Sequence, residues 1–264
     1  MIESWETLIV ERSGGVVTVT MNRPERKNAA NGTMWGELGT VFDDVAADRD
    51  VRAMVLTGAG GAFCSGADVS DPSHVGGRPG DPYLVQMRAL GQLALRLHTI
   101  PKPTIAKVGG VAAGAGMSLA LGCDLVVASD TARFSQIFAK RGLSIDLGSS
   151  WLLPRLIGLH RAKELAFFAD ILSAAEAESF GLVNRVVPDD ELDTFVADWA
   201  TRLAEGPTLA LSMTKSMLNN SLAVSMEQAL EDESRSQTVN FASRDTQEAL
   251  AAFAERRPPT FEGR

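Results

Sequence analysis

Asp146 is the lone acid of residues 142–151 (GLSIDLGSSW), where it stands among Leu143, Ile145, Leu147 and Trp151. A carboxylate in apolar surroundings loses hydration, and its pKa climbs above the free value of roughly 3.9. An acid tuned in this way exchanges a proton near neutral pH, as a general acid/base must. Aspartate is also a favoured N-cap, and the run 147–156 reads as a helix. Capping and catalysis are compatible roles for one carboxylate at a helix start.

Two glycine-rich turns, at residues 58–61 and 109–116, each follow a short apolar run. A strand that turns sharply into a helix leaves N–H groups without partners at the helix start. Glycine or alanine there lets a ligand approach the main chain closely. Two such N–H groups from separate turns make an oxyanion hole, worth on the order of 3 kcal/mol as charge develops on a carbonyl oxygen. Tight helix–strand packing explains such glycines equally well. Other chemistries fail on spacing. Neither turn has the lysine of a phosphate loop, and residues 114–119 (GAGMSL) lack the third glycine of a dinucleotide fingerprint. Phe63 sits where a serine elbow needs glycine. His74, His98 and His160 lie far apart and form no HExxH, so they read as surface or helix-end residues.

The elements that position these groups follow from periodicity. Residues 7–11 and 16–21 form a hairpin around Ser13-Gly14-Gly15. Met34, Leu38, Val41, Phe42 and Val45 predict a helix over 33–47, and 51–57 is a short buried strand. Residues 71–82 form an aperiodic loop before a helix at 83–97, which Pro101 and Pro103 stop ahead of a strand at 104–108. A helix at 117–121 and a strand at 124–128 complete a repeating β-β-α register. From Arg161 onward the pattern is helical, with segments at 161–168, 174–180, 191–204, 207–218, 225–240 and 246–255, and a short strand at 183–187. The expected division is a core of residues 1–195 and a helical region of 196–264.

A chain of 264 residues, 45% hydrophobic, supports one large core with a helical appendage. A net charge of −8 argues against a general nucleic-acid role. Arg23, Arg26 and Lys27 form the densest basic cluster of the first half, suited at most to a small anion. Cys64 and Cys123 form no CxxC and read as inert buried thiols. With neither a membrane-length apolar run nor a secretory leader, a cytoplasmic location is expected.

Residues 21–29 (MNRPERKNA), 56–68 (LTGAGGAFCSGAD), 102–116 (KPTIAKVGGVAAGAG), 121–125 (LGCDL), 132–134 (ARF) and 180–184 (FGLVN) together resemble the crotonase superfamily, the enoyl-CoA hydratase/isomerase family. The resemblance covers nearly the whole chain. It implies an α/β fold, a spiral of β-β-α repeats with a helical C-terminal region that assembles a homotrimer or a dimer of trimers. It implies an acyl-CoA thioester substrate and no cofactor or metal beyond the coenzyme A of that substrate. Its two carbonyl-binding N–H groups fall at Ala67 and Ala115. Ser65 and Gly66 fall along the adenine and pantetheine path, Arg23 and Arg26 near the CoA phosphates, and Asp68, Gly114, Ser118 and Phe138 around the substrate.

The family's hydratases place two glutamates where this chain has Ser118 and Phe138. Asp146 falls where its isomerases, dienoyl-CoA isomerases among them, carry an aspartate, and residues 142–154 are especially similar to the ring-epoxide isomerase of phenylacetate degradation. The resemblance therefore favours an isomerase. The alternatives are a hydratase in which Asp146 alone positions water, an enzyme with Asp146 as nucleophile, and a non-catalytic acyl-CoA binding subunit.

Overall fold

The computed structural model describes residues 2–71 and 80–263. The chain opens with β1 (Ile2–Ser4), β2 (Leu8–Ser13) and β3 (Val16–Met21), followed by α1 (Gly32–Ala47) and β4 (Ala53–Gly58). The hairpin turns as expected, with Ser13 opposite Val16. All five apolar residues that predicted α1 are buried, and Asn31 caps it by accepting from the Met34 N–H at 3.0 Å. Each large apolar side chain buried this way stabilises the fold by about 1.5–3 kcal/mol.

Next come α2 (Tyr83–Thr99), β5 (Thr104–Val108), β6 (Val111–Ala113), α3 (Ala115–Gly122), β7 (Leu125–Ser129) and β8 (Arg133–Ser135). The second half runs through α4 (Ser149–Phe168), β9 (Leu172–Ser173), α5 (Ala174–Phe180), β10 (Arg185–Val187), α6 (Leu192–Ala204), α7 (Thr208–Asn220), α8 (Met226–Phe241) and α9 (Arg244–Glu255). Of the loop expected at 71–82, residues 72–79 lie outside the described residues, as does His74.

The main sheet has the order β1-β2-β3-β4-β5-β7-β10, parallel from β3 onward. Its central strands β4, β5 and β7 are buried on both faces, which is why they read as continuous apolar runs. Met54, Leu56, Ala106 and Val126 point into the larger core with α1, α2 and α3. Val55, Ile105 and Val127 point the other way, onto Leu192, Val196 and Ala200 of α6. The expected boundary at 195/196 falls inside this sheet-packed helix.

A second sheet, β6-β8-β9, stands beside the first, and Cys64 extends it through a bridge to Ala112. The β-β-α register is therefore real: β5-β6-α3 is followed by β7-β8-α4, and the bridged Cys64 follows β4. Past the sheet, α8 buries none of its residues in this chain, and Met226, Phe241 and Phe253 are largely exposed. No described helix is long and apolar enough to cross a membrane.

Candidate active site

The two glycine turns meet. Ala113 donates its N–H to the Cys64 carbonyl at 2.9 Å, and Phe63 and Cys64 both donate to the Val111 carbonyl at 3.0 Å. Gly66 has φ +106, and a Cβ built on it would stand 3.0 Å from the Ala113 carbonyl oxygen and 3.7 Å from the Ala115 nitrogen. Gly114 opens α3 at φ +53, and a Cβ there would press within 3.2 Å of Ile137. The positive φ favours glycine at both positions, and a Cβ would be tight at each. Ala67 follows the first, Ala115 the second, and among the described residues neither N–H has an acceptor. The ring of Phe138 lies against Gly114.

Asn28 sets the outer wall. Fully buried, it donates from Nδ2 to the carbonyls of Ala59 (2.8 Å) and Ala62 (2.9 Å) while its Oδ1 accepts from the Arg23 N–H. This bolts the 23–28 turn onto the first glycine turn. Ser65 joins the same seam, donating its N–H to Lys27 O and its hydroxyl to Arg26 O. Arg26 and Lys27 are left exposed beside it. Arg23 is differently placed: its guanidinium pairs with buried Asp68 at 2.9 Å and donates to the Ala29 carbonyl. Hydrogen bonds from Ser70, with the Arg23 guanidinium adding to them, hold the Asp68 carboxyl below its ordinary value. Arg23 and Asp68 therefore brace one another.

Asp146 does not cap a helix. The helix expected from residue 147 begins at Ser149, because Leu147 (φ 47) and Gly148 (φ 84) are both left-handed. Gly148 takes the N-cap place, without a side-chain cap. The Asp146 Oδ1 is buried and has no hydrogen-bond partner among the described residues. Burial pushes its pKa up to about 6. A left-handed leucine is strained backbone, which persists where surrounding structure enforces it. α4 itself breaks at Gly158 (φ 76, ψ 160), so the helix expected at 161–168 is its second half.

Ser118 lies one turn into α3, buried, with its hydroxyl 2.7 Å from that of Ser149. It also lines a cavity of about 680 Å³ between α2, α3, α4 and α7, together with Leu147, Gly148, His98 and Trp151. His98 is half-buried there, edge-on to Trp151, whereas His160 is exposed. Both cysteines are buried, and desolvation drives the Cys64 pKa to about 11 and the Cys123 pKa to about 12. Among the described residues no cluster of three or more His, Cys, Asp or Glu could hold a metal. Ser149 and Gln136, which reach this polar centre, carried no sequence signal, since a buried serine and glutamine look like any others.

A two-turn N–H cradle, with a half-buried acid whose loop is tied to α3 through Ser149, defines a class of site built for carbonyl substrates that pass through an oxyanion. Residues 11–264 match the family model described as enoyl-CoA hydratase/isomerase, and the chain belongs to that family. It is 39% identical to the 1,2-epoxyphenylacetyl-CoA isomerase of Escherichia coli (strain K12), over 95% of this chain and 96% of that one. It is 34% identical to the short-chain-enoyl-CoA hydratase of Clostridium acetobutylicum, over 95% of each. Among solved structures, a protein assigned as an enoyl-CoA hydratase in Streptomyces coelicolor A3(2) superposes with a TM-score of 0.93 at 38% identity, over 99% of this chain and 96% of that one. The relatives carry both reaction names, so family membership fixes an acyl-CoA enzyme and leaves the reaction to the site.

Proposed function

We propose that this protein is an acyl-CoA isomerase. The observation that carries the reading is the buried Oδ1 of Asp146, without a partner among the described residues, and no second carboxylate at 118 or 138. Asp146 as carboxylate takes a proton from C2 of a 3-enoyl thioester. The C–H electron pair becomes the C1–C2 double bond as the carbonyl π pair moves onto oxygen, giving a dienolate that keeps its C3–C4 double bond until the proton returns. Charge collects on the thioester oxygen, where the N–H groups of Ala67 and Ala115 stabilise it. The protonated Asp146 then delivers its proton to C4, giving the 2-enoyl thioester with no net gain or loss of atoms.

One acid suffices for this shuttle. No cofactor enters it, since coenzyme A is part of the substrate. Arg26, with Lys27 beside it, meets the CoA phosphates, and Ser65 and Gly66 line the path between. The exposed apolar side chains of α8 and α9 are the contact surface of a homotrimer or a dimer of trimers. Replacing Asp146 with Asn is expected to abolish turnover while acyl-CoA binding persists; full activity in that variant would sink the reading.

The same free Oδ1 suits a second reading, in which it holds a water for addition to a 2-enoyl thioester. The Clostridium relative's reaction name gives that reading its weight. Hydration measured against double-bond migration separates the two.

A further inference from the structure

Three buried polar side chains form a directed chain that the proposed proton shuttle does not use. Gln136 Nε2 donates to Ser149 Oγ at 3.2 Å, and Ser149 Oγ lies 2.7 Å from Ser118 Oγ. Ser118 Oγ in turn donates to the Gly114 carbonyl at 3.1 Å. The direction is determined at both ends. An amide nitrogen can only donate and a carbonyl can only accept. Ser149 therefore gives its proton to Ser118, which gives its own to Gly114.

The Gly114 carbonyl and the Ala115 N–H are the two ends of one planar peptide unit and point in opposite directions. That carbonyl also accepts the Ser118 N–H at 3.0 Å, so two donors fix the plane. Each bond in such a chain polarises the next, strengthening the terminal donor. The Oε1 of Gln136 is buried with no donor among the described residues. A buried acceptor without a partner is a net cost to folding, so packing alone does not explain the network. Ser149 also donates its backbone N–H to the Asp146 carbonyl at 3.0 Å, joining the acid's loop to the same chain.

We infer that Gln136, Ser149 and Ser118 are positioning residues that orient and polarise the Gly114–Ala115 peptide as an oxyanion donor and hold it in register with the Asp146 loop. The inference rests on the oxyanion reading of Ala115.

Infrared difference spectra of butanoyl-CoA carrying 13C at the thioester carbonyl test it. On the wild-type enzyme the bound carbonyl stretch falls below that of the free thioester. In Ser149→Ala part of that fall is lost, and kcat drops roughly tenfold with KM within about twofold, the effect of one hydrogen bond. Ser149→Thr, which keeps the hydroxyl, restores both. A full red shift and unchanged kcat in a folded Ser149→Ala would overturn the inference, and Ser118→Ala serves under the same criteria if Ser149→Ala does not fold. An unshifted carbonyl on the wild type contradicts the oxyanion reading itself and removes the basis for the chain.

Discussion

Ser149 donates its backbone N–H to the carbonyl of Asp146 at 3.0 Å, while the Asp146 side chain keeps a buried oxygen with no partner among the described residues. The main chain of the acid is therefore fixed and its carboxylate is not spent. A capping aspartate would show the reverse, with its oxygen accepting from the helix start. The pair separates a structural duty, met by backbone, from a chemical one, left to the side chain.

The pH dependence of kcat/KM follows from that burial. The base must be ionised to take a proton, and burial raises its pKa to about 6. kcat/KM is expected to rise with pH through an acid limb near 6. A limb near 4 would place Asp146 in water.

The same shift has a sign in stability. A carboxyl whose folded pKa exceeds its unfolded value costs nothing below about pH 4, where both states are protonated. As pH climbs through about 6 the ionised group destabilises the fold, by on the order of 2 to 3 kcal/mol once titration is complete. Asp146→Asn is thus expected to raise Tm at pH 8 and leave it nearly unchanged at pH 4. Thermal unfolding at the two pH values checks this.

The basic cluster is expected to divide. Arg26→Ala and Lys27→Ala should raise KM for CoA esters several-fold, more at low salt than at high, because exposed charges act through a screened field. Arg23→Ala should instead lower Tm, because it leaves buried Asp68 without its ion-pair partner. Titrations with CoA at two ionic strengths, alongside melting curves, distinguish the two roles.

Asn28→Ala is expected to cost about 2 to 3 kcal/mol, since it leaves the Ala59 and Ala62 carbonyls without their donor. Denaturant unfolding measures the loss. A change below about 0.5 kcal/mol would show that the 23–28 turn holds its place without this bolt.

Much of this was readable from residues because local pattern and global fold agree. The hairpin at Gly14-Gly15, the buried face of α1 and the doubly buried strands β4, β5 and β7 all carried their signals in periodicity and turn chemistry. The strands β6, β8 and β9 did not, because two or three residues are too few to show a period. Val111–Ala113 instead looked like part of a glycine turn. The start of α4 moved because Leu147 adopts a left-handed conformation that its residue type disfavours. The resemblance located Ala67 and Ala115, and the structure adds that their turns touch. The chain from Gln136 to Gly114 joins segments far apart in sequence, so only tertiary contact reveals it.

The measurement closest to the central claim is product analysis on matched 3-enoyl-CoA and 2-enoyl-CoA substrates of one chain length, with wild-type enzyme and Asp146→Asn side by side. The wild type is expected to give double-bond migration with little 3-hydroxyacyl-CoA, and the variant neither product. Hydration outrunning migration, or migration that survives in Asp146→Asn, would contradict that claim.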